Sequence, residues 1–478
     1  MKILFATSEV HPLIKTGGLA DVSASLPAAL RGLKQDVRVL LPGYSQVLAA
    51  LPQQEVLATF LPFAGMEPVR LLGATMPGSG VPLLVLDAPQ YFCRVGGPYH
   101  YHLGGDWPDN PMRFGLLSRV AALLGSTETP LDWQAELVHC NDWQTGMAPA
   151  WLHLAQGPRA KSVMAIHNIA FQGNFDRTWM EHLQLPSSLY QMHGVEFHGH
   201  LSFLKAGLQF ADRIVTVSPT YAHEIQSSEM GYGMQGLLSA RSAQVSGILN
   251  GIDEQEWDPS SDPHLSAHYD ASDLAGKAEV KRALQQRLGL NPETGTPLLG
   301  VVSRLTYQKG LDLLLECLPS LIEGGAQLAV LGSGEAEFER RYLNLAERYP
   351  GRVAVSTRFD EALSHQIMAG ADIFLMPSRF EPCGLNQMYG MRYGTPPVVR
   401  RTGGLADSVS DAAADLGTGF VFDEPGVLAL HYAVQRAIDC YRDAPAFRRI
   451  QLNGMRREVG WRHSAQLYLA LYKEVTGK

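Results

Sequence analysis

Short, uninterrupted apolar runs recur along the chain and alternate with stretches of helical spacing. In the first half these runs are KILFATS, DVRVLLP, VPLLVLDA, ELVHCND, SVMAIHN and DRIVTVSP. Strands that are buried on both faces look like this, because neither of their faces meets water. With helical patterns such as LADVSASLPAALRGL between them, the runs predict a doubly wound α/β domain with a parallel sheet.

The same alternation starts again after a polar segment, 254–277, which is rich in turn formers and which we interpret as a linker. Beyond it, PLLGVVSRL, QLAVLGSG, RVAVSTRF, ADIFLMPSRF and TPPVVRRTGG predict a second domain of the same kind, with a helix from Leu311 to Glu323. We therefore predict an N-terminal domain, a C-terminal domain and a final amphipathic helix that packs back on the first domain, over 1–253, 278–460 and 461–478.

Composition narrows the class of protein. The chain has 478 residues, a net charge of -8 and a pI near 6.1, so its overall charge favours neither nucleic acid nor an acidic membrane as a partner. The 5 cysteines form no C-x-x-C pair, which favours a reducing compartment, and we expect the cytoplasm. No stretch approaches about 18 uninterrupted apolar residues, so we expect no membrane span. The opening MKILFATSEV predicts a strand and not a secretion signal.

One six-residue segment, TGGLAD, occurs twice, each time between a predicted strand and a predicted helix. Paired glycines at a helix N-terminus can present successive amides to an anion, so Gly17 and Gly18, with Lys15 just ahead of them, are candidates for such a site. The alternative is a simple turn. For the second copy we hold the two possibilities as equal; its candidate binding residues, after the cation Arg401, are Thr402, Gly403 and Gly404.

Three charged residues follow predicted strands in the second half. Ligands of open α/β sheets bind beyond the C-terminal ends of the strands, where Arg304 and Lys309 could share the charge of a leaving diphosphate. Glu381 follows ADIFLMP and could accept hydrogen bonds from sugar hydroxyls. The alternatives are two solvated surface cations and an acid that merely stabilises a helix start.

The first half offers polar and aromatic groups at strand ends. HCNDWQTG brings Asp142 and Trp143 to one strand end, and AIHNIAFQG brings His167 and Asn168 to another. With Tyr99, they fit the weakly polar stacking surfaces of carbohydrate sites, although a lone histidine at a strand end is usually structural.

Some common signatures are missing from the sequence. The chain has no D-x-D, the acidic metal clamp of many nucleotide-sugar enzymes, and neither a G-x-G-x-x-G after the first strand nor a G-x-x-x-x-G-K-[ST]. We therefore expect no metal and no cofactor in catalysis, with lysines and amides replacing the metal.

Taken together, these motifs resemble the family of bacterial glycogen synthases and plant starch synthases. The resemblance rests, in the family's order, on KTGGLADV, PYH, HCNDWQTG, IHNIAFQG, SFLKAGL, ILNGID, SRLTYQKG, PSRFEPCGLNQ and RRTGGLADSV. It implies a GT-B fold, in which two Rossmann-like domains face a deep cleft. It also implies retaining transfer of glucose from ADP-glucose to the non-reducing-end 4-hydroxyl of an α-1,4-glucan such as glycogen or a maltooligosaccharide.

The same resemblance assigns roles to individual residues. Lys15, Arg304 and Lys309 would hold the diphosphate, and Glu381 and His167 would hold the glucosyl unit. Asp142 would lie near the anomeric carbon. The remaining substrate-binding positions are Asn250 in the sugar pocket, Phe359 where relatives often stack a tyrosine on adenine, and Cys383 and Gly384 in the loop of Glu381. Asn386 stands where close relatives often carry Thr, which leaves one hydroxyl contact to phosphate in doubt. Tyr389 stands where related retaining families carry a second glutamate, and this difference indicates the glycogen and starch synthase branch.

Two questions of mechanism and class stay open at this point. Retention by a covalent intermediate needs a carboxylate placed for back-side attack, and no residue pair has that signature, so we favour same-face attack with the leaving phosphate as base. The alternatives in function are a related enzyme that uses UDP-glucose or a small acceptor, and a glucan-binding relative without activity. The sequence does not predict an oligomeric state.

Overall fold

The structure is a computed structural model that describes residues 1–101, 104–293, 295–358 and 360–478. The described chain divides into two compact units. The first consists of Met1–Gly251 with Trp461–Lys478, and the second consists of Ile252–Gly460.

The first unit is built on a sheet in the order β12-β11-β7-β6-β1-β2-β5-β4-β3. Its strands are β1 Lys2–Ala6, β2 Asp36–Pro42, β3 Glu55–Phe60, β4 Val69–Thr75, β5 Pro82–Asp87, β6 Leu137–Asn141, β7 Lys161–Ile166, β11 Arg213–Thr216 and β12 Val245–Gly247, and β8 Asn174–Phe175, β9 Glu196–Phe197 and β10 His200–Ser202 form a small separate sheet. Its helices are α1 Gly18–Gly32, α2 Ser45–Ala50, α3 Pro89–Phe92, α4 Asn110–Leu124, α5 Ala148–Leu154, α6 Trp179–His182, α7 Phe203–Phe210, α8 Pro219–Glu224 and α9 Gln235–Ala240.

All pairings from β12 to β5 are parallel, as the apolar runs predict. The β5-β4-β3 edge is antiparallel, which the sequence analysis did not predict. The connections between these three strands are too short for a crossover helix, so the strands must run in alternating directions. The apolar residues of β1 from Ile3 to Ala6 are fully buried, which places this strand in the core.

The second unit has a fully parallel sheet in the order β15-β14-β13-β16-β17-β18. Its strands are β13 Leu298–Val302, β14 Gln327–Leu331, β15 Val353–Ser356, β16 Ile373–Met376, β17 Pro397–Arg400 and β18 Phe420–Phe422. Its helices are α10 Ala275–Arg287, α11 Leu311–Glu323, α12 Ala336–Arg348, α13 Glu361–Gly370, α14 Asn386–Arg392, α15 Gly403–Ser408, α16 Val427–Arg442 and α17 Ala444–Met455.

Alternate residues of β13 enter two different cores. Leu299 packs into a cluster with α11 and α16, whereas Leu298 packs with Leu284 of α10 and Ile367 of α13 on the opposite face. Successive side chains of a strand point to opposite faces, so a strand covered on both sides must be apolar at every position. This burial on both faces is why the apolar runs do not alternate with polar residues.

The last helix, α18 Trp461–Thr476, packs on the first unit. The Tyr472 hydroxyl lies 2.8 Å from Nδ1 of the buried His139, and the Ser464 hydroxyl donates to the Leu249 carbonyl at 2.6 Å. The polar segment 254–277, which the sequence analysis interprets as a linker, belongs to the second unit. Its polar groups find partners there: Tyr269 donates to the Tyr393 carbonyl at 2.9 Å, and Asp262 is buried.

Candidate active site

The chain reverses its winding in the first unit next to β1. β2 lies on one side of β1 and β6 on the other, followed by β7. In doubly wound sheets the crevice for ligands opens at this reversal, beyond the C-terminal ends of the strands. The loops that follow β1, β6 and β7 carry Lys15, Asp142 and His167, so three of the predicted site residues lie at the same edge of the sheet.

Glu9 organises the first TGGLAD loop, and the sequence analysis missed it. Its carboxylate is 3% exposed and accepts hydrogen bonds from the Thr16 amide at 2.6 Å, the Gly17 amide at 3.2 Å and the Tyr99 hydroxyl at 2.7 Å. The Gly17 amide is thus already satisfied by the protein's own carboxylate. The Gly17 amide is therefore not open while Glu9 holds it, and its role in binding a ligand stays a prediction. The sequence signal that could have identified Glu9 is an acidic residue shortly after a buried strand.

Lys15 remains the accessible cation of this loop. Its ammonium is 2.7 Å from Asp21 on α1, and its side chain is 44% exposed. Gly18 is the first residue of α1, where amides lack partners within the helix.

Asp142 lies directly after β6 in a strained conformation, with a φ of 53° that non-glycine residues rarely adopt. Its Oδ1 accepts hydrogen bonds from the His167 amide at 2.7 Å and the Asn168 amide at 3.4 Å. Burial raises the pKa of Asp142 to about 7, and the negative charge of Glu9 adds to that rise while the two amides oppose it. The site therefore holds a carboxyl group that is only partly ionised near neutral pH.

The His167 ring is fixed by a chain of hydrogen bonds. Its Nε2 lies 2.8 Å from Asn141 Oδ1, and the Asn141 amide nitrogen donates to the Ala6 carbonyl at 2.8 Å. Because that amide must point its nitrogen at Ala6, its oxygen faces His167, so Nε2 carries the proton and Nδ1 is an acceptor. Burial lowers the pKa of His167 to about 4, and the ring is neutral at pH 7.

Three predicted carbohydrate-binding side chains also have structural partners. The Trp143 ring packs against Phe114 at 5.0 Å and against Phe175 at 5.6 Å between ring centroids. The Tyr99 hydroxyl is held by Glu9, and Asn168 Oδ1 accepts a hydrogen bond from the Ala170 amide at 3.1 Å. These partners fix the three half-buried side chains, and their role in binding a carbohydrate stays a prediction.

Asn250, in contrast, has a polar atom that the protein leaves unsatisfied. The side chain is 6% exposed, and its Oδ1 has no hydrogen-bond partner among the residues that the structure describes. Since buried polar atoms are almost always paired, this oxygen indicates a place for a ligand or a water molecule.

In the second unit the winding reverses between β13 and β16, because β14 lies on the other side of β13. Arg304 and Lys309 follow β13, and Glu381 follows β16. The structure brings two of these together: Lys309 Nζ lies 2.5 Å from Glu381 Oε2, and the Ser378 hydroxyl donates to the same oxygen at 3.0 Å. The Glu381 side chain is buried, so this is a fixed ion pair.

Arg304 has a different environment. It is exposed, and within the described ranges its guanidinium group has neither an ion pair nor a hydrogen-bond partner. A guanidinium with no internal partner can accept a doubly charged phosphate group without first breaking a salt bridge.

The second TGGLAD copy holds the loop that carries Glu381. The Gly404 amide donates to the Glu381 carbonyl at 3.1 Å and the Pro382 carbonyl at 3.0 Å. Gly403 has a φ of +42°, and a Cβ there would lie 2.0 Å from the Glu381 carbonyl oxygen. Thr402 is the buried residue before α15. Of the two possibilities for this copy, the geometry supports the structural turn, because the Gly404 amide is already used.

The remaining predicted positions lie in the same loop or outside the described residues. Cys383 is buried, and Gly384 has a φ of +70°, where an added Cβ would lie 2.6 Å from Gln387 Oε1. Gln387, which the sequence analysis missed, donates to the Gly384 carbonyl at 3.0 Å and to Ser408 at 2.9 Å, so it ties this loop to α15. Phe359 lies outside the residues that the structure describes.

Comparisons with known proteins extend this picture to the whole chain. The family described as starch synthase catalytic domain matches residues 2–240, and the family described as glycosyl transferases group 1 matches residues 284–451. A glycogen synthase of Nitrosospira multiformis is 51% identical over 99% of this chain and 97% of its own length. A glycogen synthase of Thioalkalivibrio sulfidiphilus is 52% identical over 99% of this chain and 100% of its own.

Two solved structures are similar over the full chain. The catalytic domain of starch synthase IV from Arabidopsis thaliana, bound to ADP and acarbose, matches with a TM-score of 0.88 and 31% identity, covering 100% of this chain and 99% of its own. The sucrose-phosphate synthase of Thermosynechococcus elongatus matches with a TM-score of 0.60 and 17% identity over 100% of both chains, which shows a shared fold alone.

Proposed function

We propose, because the chain belongs to the family of glycogen synthases and starch synthases, that it transfers glucose from ADP-glucose to the non-reducing-end 4-hydroxyl of an α-1,4-glucan. It is a glycosyltransferase of the GT-B fold with a nucleotide-sugar donor and a glucan acceptor. The choice of ADP over UDP is the part that we propose, and it is supported by the ADP bound to starch synthase IV.

The observation that carries the proposal is the fixed Lys309-Glu381 pair, with the unpaired cation Arg304 five residues before Lys309 in the chain. A leaving diphosphate gains negative charge as the bond from C1 to oxygen breaks. Cations that are already in place stabilise this charge more in the transition state than in the bound substrate. Glu381 then accepts hydrogen bonds from glucosyl hydroxyls, with Lys309 and Ser378 fixing its carboxylate.

The first unit supplies neutral polar groups for the sugar. His167 is neutral at pH 7 with Nδ1 as an acceptor, and Asn250 has an unsatisfied carbonyl oxygen; both suit hydroxyl groups better than phosphates. We propose Asp142 near the anomeric carbon and same-face attack, with the leaving phosphate as base. Mass spectrometry after incubation with a slow donor analogue tests this: a glucosyl group trapped on Asp142 or Glu381 would overturn it.

We also propose that catalysis needs no metal ion and that Lys15 contributes a further positive charge to the donor phosphates. A chelator added at the start of the assay then leaves the initial rate unchanged; loss of turnover within the assay contradicts the proposal. The compartment we propose is the cytoplasm, supported by five cysteines, none of which forms a disulfide bond among the residues that the structure describes. No helix in the described part of the chain combines the length and apolar character that crossing a bilayer requires.

A matrix of donors and acceptors tests the function. The purified chain is incubated with ADP-glucose or UDP-glucose, each with and without glycogen, and nucleotide release is measured. We expect release with ADP-glucose and glycogen together. Release with UDP-glucose instead, or with a small sugar acceptor instead of glycogen, identifies a related enzyme. Glycogen binding without any release identifies a non-catalytic relative.

Two variants test the proposed site. Lys309→Ala and Arg304→Ala should each lower kcat by about 100- to 1,000-fold, the usual loss when one preorganised charge-stabilising donor is removed. Arg340→Ala is the matched control, because Arg340 is an exposed cation of the same unit that pairs with the nearby Glu337. A rate within about threefold of wild type for Lys309→Ala or Arg304→Ala contradicts the assignment of that residue.

A further inference from the structure

A buried histidine in the second unit has one ring nitrogen that the protein does not satisfy. His365 lies on α13 and is 1% exposed, and its Nε2 has no hydrogen-bond partner in the part of the chain that the structure describes. A buried polar atom in this state usually marks a bound water, ion or ligand. No role in the proposed reaction uses this residue.

The other nitrogen of the ring is held by a buried acid. His365 Nδ1 lies 2.7 Å from Asp262 Oδ2, and the same oxygen accepts a hydrogen bond from the Tyr393 hydroxyl at 2.5 Å. The His264 amide donates to the other Asp262 oxygen at 2.8 Å. Since all these contacts use Asp262 as an acceptor, the proton of the neutral imidazole is on Nδ1, and Nε2 presents a lone pair.

Stacking fixes the orientation of the ring. His365 stacks on Trp257 with centroids 3.8 Å apart and an interplanar angle of 11°. Trp257 in turn stacks on Tyr389 with the same distance and angle. A histidine whose ring is held by an aromatic face and whose Nδ1 is held by a carboxylate has the arrangement of a preorganised metal ligand.

Two carboxylates approach the same place. Glu361 precedes His365 by one helical turn on α13, so both side chains lie on one face of the helix. Glu256 is the neighbour of Trp257 in the chain. One ligand atom from each of Glu256, Glu361 and His365 lies within 4.8 Å of the other two. Ligands of a tetrahedral ion are about 3.4 Å apart, and the exposed Glu361 side chain can rotate to close that difference.

We propose that Glu256, Glu361 and His365 bind a divalent transition-metal ion, with Zn²⁺ as the probe and water completing the coordination. One imidazole nitrogen with two carboxylates suits Zn²⁺ and its neighbours better than Mg²⁺ or Ca²⁺, which prefer oxygen ligands alone. The ion would join the segment around Trp257 to α13, and its role would be structural. The proposal does not depend on the reaction, because these residues are not among the proposed donor or acceptor contacts.

Zn²⁺ binding to the full chain tests the site. After dialysis against a chelator and its removal, calorimetric titration should show a site that Glu361→Gln weakens by at least about tenfold, since loss of a ligand exceeds the effect of losing an outer partner. Glu256→Gln should do the same. The matched control is Glu337→Gln, which changes an exposed glutamate in the first turn of α12 and should leave affinity within about twofold.

Thermal unfolding gives an independent readout. Zn²⁺ at about 100 times its Kd should raise the Tm of the wild type by about 5 °C, and of Glu361→Gln much less. A Co²⁺ complex should show d–d absorption in the visible range that Glu361→Gln changes. Equal Zn²⁺ affinity of the wild type and both glutamate variants, or a wild type with no saturable Zn²⁺ site at 100 µM, would overturn the proposal and leave Nε2 to a buried water. Because initial rates at 25 °C report catalysis and Tm reports this site, the two proposals fail separately.

Discussion

The two TGGLAD segments have the same six residues at the start of a helix that follows a strand, but they hold different partners. In the first unit the loop amides of Thr16 and Gly17 hold a side chain, the carboxylate of Glu9. In the second unit the Gly404 amide holds main-chain carbonyls of the loop that carries Glu381. The motif therefore specifies a turn with donating amides. The group that the rest of the fold places next to the turn determines what those amides bind.

The first glycine of each copy shows the difference most directly. Gly17 is extended, with a φ of -159°, and a Cβ there would meet nothing within 4 Å. Gly403 has a φ of +42°, and a Cβ there would meet the Glu381 carbonyl oxygen at 2.0 Å. Glycine is therefore required at position 403 for both conformation and space, whereas position 17 requires it for neither.

The largest expected effect separates the two glycines. Gly403→Ala should lower kcat/KM by about 100-fold or more, because the new Cβ must displace the loop of Glu381 and a shift of about 1 Å at a site has that effect. Gly17→Ala should stay within about threefold, with at most about 1 kcal/mol lost in the free energy of unfolding from the poorer helix cap. Steady-state kinetics with urea unfolding measures both. Equal losses in the two variants would show that the loops have the same role.

The cations ahead of the two loops give the next test. Lys15→Ala should raise KM for the nucleotide sugar and lower kcat/KM by about 10- to 100-fold, as expected for a lost hydrogen bond to a charged group. Arg401 pairs with Asp423 on the surface, where both side chains are more than half exposed. Arg401→Ala should therefore leave kinetics and stability nearly unchanged. A similar loss for Arg401→Ala would restore a binding role to the second loop.

Glu9 is the partner that only the first loop has. Glu9→Gln keeps the shape but removes the charge that holds two amides and the Tyr99 hydroxyl, so about 1–3 kcal/mol of stability should be lost. We expect kcat/KM to fall about tenfold as the loop that positions Lys15 loosens. Thr127→Val is the control, because Thr127 is an exposed residue of the same unit and this substitution also leaves the side-chain volume nearly unchanged. Unchanged stability in Glu9→Gln would show that the loop does not depend on this carboxylate.

The last test is a slope of stability against pH. The pKa of Asp142 is raised from 3.8 to about 7, chiefly by burial. The folded state therefore keeps a proton that the unfolded chain releases, and this contribution to the free energy of unfolding declines from about pH 4 to pH 7 and is constant above. Wild type minus Asp142→Asn should show that decline, at most about 1.4 kcal/mol per pH unit.

The free energy of unfolding must be compared between the wild type and Asp142→Asn, because the titration of His167 changes stability in the opposite direction. Its pKa is lowered to about 4 by burial, so its contribution to stability rises with pH from about 4 to 6.5 and is present in both chains. Adding Glu9→Gln should move the end of the Asp142 decline below pH 7, since the charge of Glu9 contributes to the raised pKa. Urea unfolding at unit steps from pH 5 to pH 8 measures this; a difference that rises with pH contradicts it.

Much of the secondary structure could be predicted because each element has a local signal. The apolar run DVRVLLP is β2, and the helix predicted from Leu311 to Glu323 has those bounds in the structure. The β3-β4 edge was missed because a half-exposed strand has no continuous apolar run. The polar segment 254–277 looked like a linker because its acids and hydroxyls pair with residues that are distant in sequence, such as Asp262 with His365.

The sequence by itself determined that two α/β units exist and which loops follow their strands, and it singled out Lys309, Arg304 and Glu381, because apolar periodicity and strand ends are local properties. Only the tertiary structure decided that Glu9 fills the first loop and that the second clamps the chain at Glu381. It also decided that the Trp143 ring packs against Phe114 and Phe175 and that the Tyr99 hydroxyl is held by Glu9. An amide or a ring is available to a ligand only if no closer group satisfies it, and the closer group comes from another part of the chain.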